Sequence, residues 1–416
     1  MRKCLTVVLT LCSVFFLLFS AIGSAAGSET IKIGFLAPMT GPFAAEGKKM
    51  LDGAKFAIWQ VNTSGGLLGK ELELVTYDVG YFKPELIMSG AKKLVVRDKV
   101  ALVTTGYLGG VADIKTFSQY DVPYIHSDTS ILAAKGVMEN PKQCWNIFQV
   151  SPEETISYSD GLYHLTVTTP WEHPNKKIAI ITMDRAYNRK ILNANLESLR
   201  EEISKIDPGW EVVINEMTPT GTTEWGPILS KIRKENPSVI LFNDHVITDE
   251  ASFMKQFLRN PSQSLIGMIY GPQNPDFLGL AGSDAEGVLW DGGGNRVAPS
   301  EEGRKLTEDF KKVIGMEPPP ALCLLVWGGI KLWAESVKAV GDERKYFEIC
   351  RYMKGKFWEM PEIISHYVFD YHTNTVLVGH RLFVKPFNQI QNGRNVIIYP
   401  KVHATGTFGL PPWIKK

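Results

Sequence analysis

Apolar positions along the chain follow two periods in turn. Short runs rich in β-branched and aromatic residues predict strands at Ile31–Met39 (IKIGFLAPM), Leu72–Asp78 (LELVTYD), Val100–Gly106 (VALVTTG) and Val122–Ser127 (VPYIHS). Between them, apolar residues at three- and four-residue spacing, such as Leu86, Ala91, Leu94 and Val95, predict helices at Ala44–Val61, Pro84–Arg97 and Val111–Tyr120. Repetition of strand, helix, strand implies a parallel sheet covered on both faces. The pattern then restarts. Lys177–Asp184, Glu211–Met217, Ser238–Asp244 and Leu265–Gly271 predict four more strands, and Ala186–Ile203, Trp225–Glu235 and Asp249–Leu258 the helices between them. The chain therefore reads as two βα sets, each the size of one lobe, joined near Phe148–Pro152. A Gly-rich stretch, Val288–Pro299, reads as a second link. Long helices follow at Glu301–Ile314 and Ala321–Val340, then a β-hairpin pairing Tyr367–Asp370 with Val376–Val384 and an irregular tail containing Pro400, Pro411 and Pro412.

The amino terminus departs from this pattern. Met1–Arg2–Lys3 is a short basic start, Leu5 to Ile22 carries no charge, and Gly23 to Gly27 are small. This is the three-part plan of a secretory signal peptide, with cleavage expected near Ala25 or Ala26; an uncleaved membrane anchor is the alternative. Cleavage removes Cys4 and Cys12. Cys144, Cys323 and Cys350 remain, too few for a disulfide framework. Cys323 and Cys350 form one candidate bridge, with buried free thiols the default.

Composition narrows the function classes. With 44% apolar and 21% charged residues in 416, the chain matches a globular average, which excludes wholesale disorder and a multi-span membrane protein. Its 45 basic and 44 acidic residues are intermixed and give a net charge of +1, so no basic stripe suits a nucleic acid. Catalytic motifs are missing as well. Gly65-Gly66-Leu67-Leu68-Gly69-Lys70 has the look of a phosphate loop, but Ser64 stands where its first Gly belongs and Glu71 follows the Lys. There is no GxGxxG after the first strand, no GxSxG and no HExxH, and the eight His residues form no metal-ligand pair. No cofactor, no metal and no enzyme activity is expected.

A binding cleft is what remains. In open α/β sheets ligands bind beyond the carboxyl ends of the strands, close to helix amino termini. Those positions hold Thr40–Ala44, Tyr107–Gly110, Ser127–Ser130, Asp184–Tyr187, Asn243–His245 and Gly271–Gln273. Their glycines, hydroxyls and aromatic rings suit a small polar solute held between two lobes.

The opening IKIGFLAPMTGPFAAEGKKMLDGAKFAIWQVNTSGGLLGKELELVTYD resembles the periplasmic leucine/isoleucine/valine-binding protein family, whose members open on a similar strand–TGP–helix–GG–G–strand order. The resemblance continues through GYLGG, VPYIHSDTS, MDRAYNR, YGPQ, AEGVLW and VWGGIKLW, and weakens after Tyr371. It implies an α/β, two-lobed type I periplasmic-binding-protein fold in which each lobe is a mostly parallel sheet covered by helices, with three hinge crossovers. The expected divisions are a signal peptide at 1–26, an amino-terminal lobe at 27–150 plus 295–366, and a carboxy-terminal lobe at 151–294 plus 367–416. The implied function is that of a periplasmic, monomeric solute-binding protein. It captures a small organic solute by hinge closure and delivers it to the membrane permease of an ABC importer. A ligand-sensing module for a receptor and an exported hydrolase are the alternatives.

The resemblance also implies site residues. Thr129 and Ser130 would hold a ligand carboxylate, with Asp128 in the same loop. Tyr187 would reach the ligand from the second lobe, and His245 lies near a second aromatic contact. Glu46 and Leu325 would line the side-chain end, with Phe43, Tyr107, Gly109 and Gly110 nearby. Gly110 stands where the family tends to place a Ser, and the family's amino-lobe disulfide is absent, Tyr81 and Gly109 occupying its positions. Gln273 stands where amino-acid binders place a Glu against the ammonium group. A buried cation without a partner is costly. Either Asp128 or Asp244 takes over that pairing, or the ligand is an organic acid or amide without an ammonium group.

Overall fold

Two sheets organise the molecule. The computed structural model describes residues 29–41, 43–80, 83–108, 110–153, 160–292, 295–379 and 381–415, with Ala186 and Tyr187 described by their backbone alone. The expected signal peptide, and with it the cleavage site, lies outside the described residues. So does Gly109.

The first sheet contains β1 (Ile31–Ala37), β2 (Leu72–Asp78), β3 (Leu102–Thr105), β4 (Tyr124–His126) and β5 (Ile147–Gln149) in the order β2-β1-β3-β4-β5, all parallel. The second contains β6 (Lys177–Met183), β7 (Glu211–Thr218), β8 (Val239–Asn243), β9 (Leu265–Ile269), β10 (Leu289–Asp291), β11 (Phe387–Gln391) and β12 (Arg394–Tyr399), ordered β12-β11-β10-β9-β8-β6-β7. Its first five strands in sequence are parallel, and β11 and β12 extend it antiparallel. The central strands are apolar on both faces, as helices on both sides of a parallel sheet require; every residue of β8 and β9 is buried.

Each lobe has its own main core: Ile33, Phe35, Phe148 and Trp333 belong to one, Ile180, Phe242, Met268 and Trp290 to the other. The first sheet carries a further apolar cluster around Leu36, Val103, Tyr124 and Ile147. The Ala44–Thr63 and Ala321–Val340 helices pack closely in the first core. A Cβ at Gly53 would lie 2.3 Å from the Cys323 carbonyl oxygen, so only glycine permits this approach. The Cys323 thiol donates to the Lys49 carbonyl at 2.9 Å, and Cys144, Cys323 and Cys350 are all buried and free, so the candidate bridge is not formed. The Gly65–Lys70 segment is a turn between helix and β2, closed by a Leu67–Lys70 bridge.

Among the described residues the chain changes from one of these two main cores to the other at three places: between Val150 and Leu162, between Trp290 and Val297, and between Phe383 and Phe387. The last passage comes later than the expected change at residue 367. Tyr367, Phe369, Val376 and Phe383 pack in the first core, and the expected hairpin is present there only as an antiparallel Phe369–Val376 bridge, with the Leu377 N–H donating to the Val368 carbonyl at 2.8 Å, rather than as continuous strands. A longer hairpin, β11–β12, follows and turns at Asn392–Gly393, both with positive φ. The Gly-rich second link likewise begins only after a strand, β10.

Candidate functional site

The loops at the carboxyl ends of both sheets face each other across one cavity of about 180 Å³. That is slightly more room than an apolar cavity of ~150 Å³ that admits benzene, so the space suits a compact ligand.

The first lobe supplies Phe43, Glu46, Tyr107, Ser127, Asp128 and Thr129 to the wall, together with Leu322 and Leu325 of the Ala321–Val340 helix. Phe43 is buried immediately before the Ala44–Thr63 helix and meets Tyr107 edge-on at 6.4 Å between centroids. Glu46 sits in the first turn of that helix. Burial raises its carboxyl above the ordinary carboxylate range, against hydrogen bonding from its own backbone and from the Asn274 side chain. Asp128 is buried, and its Oδ1 accepts the Ser130 backbone N–H at 3.0 Å.

Two residues expected at the ligand are used elsewhere. Ser130 caps the Ile131–Glu139 helix, its Oγ accepting the Leu132 N–H at 3.2 Å, and it does not line the cavity. Gly110 also stands back from the wall. It holds φ at +69°, and a Cβ there would lie 2.7 Å from Ser130 Cβ. A Ser at 110 therefore conflicts with the position of Ser130, which accounts for the missing hydroxyl.

The second lobe supplies Met183, Arg185, Asn188, His245, Tyr270, Gly271, Gln273 and Asn274. The Tyr187 side chain lies outside the described ones. Arg185 follows β6 and places its guanidinium 5.6 Å from the Phe43 ring centroid, across the cleft, while Nε and Nη2 donate to Thr220 Oγ1 at 3.1 and 2.9 Å. His245 packs 5.2 Å from the Tyr270 ring; burial, followed by the Arg185 charge, pushes its imidazole down to about 3, so it is neutral at pH 7. Gln273 is buried, and its Oε1 has no hydrogen-bond partner among the described residues. Asp244 does not line the cavity. Its Oδ1 accepts the His245 and Val246 N–H groups at 2.7 and 2.9 Å, before the Ile247–Phe257 helix, and burial raises its carboxyl to about 7.

The two walls touch. The Tyr270 hydroxyl donates to Thr129 Oγ1 at 3.0 Å, and Lys49 Nζ lies 3.7 Å from Asp276 Oδ1. Arg185, Asn188, Tyr270 and Asn274 join the wall beyond the expected site residues, Arg185 from a position directly after a predicted strand. Tyr270 stands directly after β9, but the predicted strand Leu265–Gly271 runs through it; the structure ends the strand at Ile269 and turns Tyr270 out through a left-handed backbone (φ +69°) that no local pattern for a Tyr announces. Among the described residues no cluster of His, Cys, Asp and Glu has the makings of a metal site.

A family model described as periplasmic binding protein matches residues 30–347. The leucine-, isoleucine-, valine-, threonine- and alanine-binding protein of Pseudomonas aeruginosa is 25% identical over 326 residues, covering 76% of this chain and 80% of its own. The fold is similar to that of a Silicibacter pomeroyi protein classed with branched-chain amino acid ABC transporters, at TM-score 0.81 and 25% identity, covering 92% of this chain and 100% of the other. It is also similar to an ABC transporter solute-binding protein from Rhodopseudomonas palustris solved with 3,4-dihydroxybenzoic acid. That match has TM-score 0.72 and 21% identity, covering 92% of this chain and 99% of the other.

Proposed function

The chain belongs to the periplasmic binding protein family, and on that premise we propose that it captures a small organic acid in the cleft between its lobes and hands it to the permease of an ABC importer. The family consists of solute-binding proteins, not enzymes, and it implies a periplasmic location. Among the described residues no helix is long and apolar enough to cross a membrane. The observation that carries the reading is the cavity walled from both sides and bridged by Tyr270 and Thr129. One chain supplies both walls, which favours a monomer as the working unit.

The charges of the wall favour a carboxylate without an ammonium group. Arg185 brings a cation to the cleft and Gln273 is neutral. Asp244 turns its Oδ1 to backbone N–H groups, and burial biases Glu46 towards its neutral form. Phe43, Tyr107, Leu322 and Leu325 provide an apolar bed for a ring or a branched chain. The related fold from Rhodopseudomonas palustris holds an aromatic acid, while the Pseudomonas aeruginosa relative is named for amino acids. Asp128, which lies in the wall, is the observation favouring an amino acid as the second reading.

Calorimetric titration with leucine, isoleucine, valine, the keto acid of leucine and benzoate separates the two. The organic-acid reading expects the ligands without an ammonium group to bind tightest, with little change in Asp128→Asn. Tight amino-acid binding that Asp128→Asn abolishes contradicts it.

A further inference from the structure

The three passages between the lobes converge on one buried ion cluster. Lys385, on the third passage, holds Nζ 3.0 Å from Asp160 Oδ2 and 3.2 Å from Asp291 Oδ2. Asp160 lies where the first passage enters the second lobe, and Asp291 ends β10 where the second passage leaves it. The Lys385 and Asp291 side chains are each 4% exposed, so the pair is shielded from water and salt. Beside it the Arg296 guanidinium lies over the Trp290 ring at 4.6 Å. Lys385, Asp160 and Asp291 are all absent from the cavity wall.

The cluster is nevertheless connected to the wall. The Asp291 carbonyl accepts the Tyr270 N–H at 3.0 Å, and Asp291 Oδ1 accepts the Gly292 N–H at 2.6 Å. A Cβ at Gly292 would lie 3.1 Å from Gln273 Oε1 and 3.3 Å from Tyr270 Cδ1, so the backbone there packs directly against the turn that crosses the cleft. Tyr270 holds φ +69° in that turn, a conformation that persists only where the surroundings enforce it.

We propose that Lys385 is a positioning residue for solute capture: by pairing with Asp160 and Asp291 where the three passages meet, it holds Asp291–Gly292 against the Tyr270–Gln273 turn and so controls how readily the Tyr270–Thr129 bridge forms. This rests on the reading that the lobes close around a solute. Lys385 does not line the cavity, so its removal changes the affinity for every solute alike and leaves their ranking intact. Two sites coupled in this way through packed backbone exchange energy without sharing a ligand contact.

Amide hydrogen exchange in the ligand-free protein tests the connection without any knowledge of the solute. In Lys385→Met the N–H groups of Tyr270 and Gly292 exchange roughly tenfold faster, while Ile240 in the centre of β8 keeps its wild-type rate. The double variant Lys385→Met/Asp291→Asn, which leaves no uncompensated buried charge between the pair, recovers part of the protection. Wild-type exchange at Tyr270 and Gly292 in Lys385→Met overturns the proposal. Acceleration that includes Ile240 overturns it too, because Lys385 is then a general stabiliser of the lobe. Should Lys385→Met fail to fold, Asp160→Asn, at the cluster's more exposed member, is read by the same exchange pattern. Titration with benzoate and leucine supplies the second readout: a dissociation constant raised by up to about fivefold, the full worth of the bridge, for whichever probe the wild type binds, with the order of the two unchanged. If the wild type binds neither, the solute class proposed above fails while the exchange result still decides this inference.

Discussion

The Tyr270 hydroxyl donates to Thr129 Oγ1 at 3.0 Å, joining the turn after β9 to the loop after β4 across the cleft. A hydrogen bond of this kind contributes about 1 kcal/mol, roughly a fivefold change in an equilibrium constant. Tyr270→Phe is therefore expected to bind solute about fivefold more weakly. Thr129→Val should weaken binding similarly, and the double variant should lose little more than either single one. Calorimetry on the four proteins gives the coupling. Strictly additive losses would show that the two groups do not act together.

Arg185 is the cation that the second lobe brings to the wall. Hydrogen bonds to a charged group contribute about 1.5–3 kcal/mol, so Arg185→Gln should weaken carboxylate binding by roughly tenfold or more. The loss for an amide analogue of the same solute should be much smaller. Equal losses for acid and amide would remove Arg185 from carboxylate recognition. The comparison is made by competition against a fluorescent ligand.

Gly110 lies in the left-handed region, and a Cβ there collides with Ser130. Gly110→Ser is expected to lower stability by about 1–3 kcal/mol, from backbone strain and overpacking together. Urea denaturation followed by tryptophan fluorescence reads the change. A Gly110→Ser protein as stable as wild type, with tighter solute binding, would show that a hydroxyl is accommodated there after all.

Asp113 is buried and accepts the Tyr124 hydroxyl at 2.7 Å. Burial, and after it the Asp128 charge, raise its pKa from 3.8 to about 7. Between those values the folded protein keeps a proton that the unfolded chain releases. The resulting stabilisation is complete below the unfolded value and is lost as pH rises through the folded one, at no more than about 1.4 kcal/mol per pH unit. Asp113→Asn has no such proton to lose. Its stability relative to wild type should therefore climb as pH is raised from about 4 to about 7. Denaturant midpoints of both proteins across that range test this, and a constant difference would contradict it.

Much of the fold is legible because its signals are local. The strand at Ile31–Ala37, the helix at Glu301–Ile314 and the helix at Ala321–Val340 follow from unbroken periodicity, and Ser300, Gly315 and Gly341 mark helix ends by side-chain capping or left-handed φ. β5 and β10 are three residues each and, unlike the equally short β4, lie where the sequence reads as links between lobes, at Phe148–Pro152 and Val288–Pro299. The β11–β12 hairpin did announce itself through Asn392–Gly393 between FNQIQ and RNVIIY, but the more apolar Val376–Val384 stretch competes for the same reading. That stretch is drawn into the first core by Phe369 and Phe383. At the cleft, the loops that follow strands bring Phe43, Tyr107, Thr129 and His245 to the cavity wall, as their place in the sequence implies. Ser130 caps a helix outside the cavity wall, and a hydroxyl that caps a helix and one that binds a carboxylate look alike in sequence. Tyr270 and Lys385 act through contacts more than 90 residues away in the chain, which no local spacing encodes.

Small-angle X-ray scattering of the purified protein, with and without saturating solute, tests closure around a ligand most directly. A solute shifts the balance of open and closed forms only by its preference for the closed one. Adding an organic acid that binds by calorimetry is expected to reduce the radius of gyration, with a weaker contraction in Tyr270→Phe at the same subsaturating concentration. A profile unchanged at saturation would contradict closure.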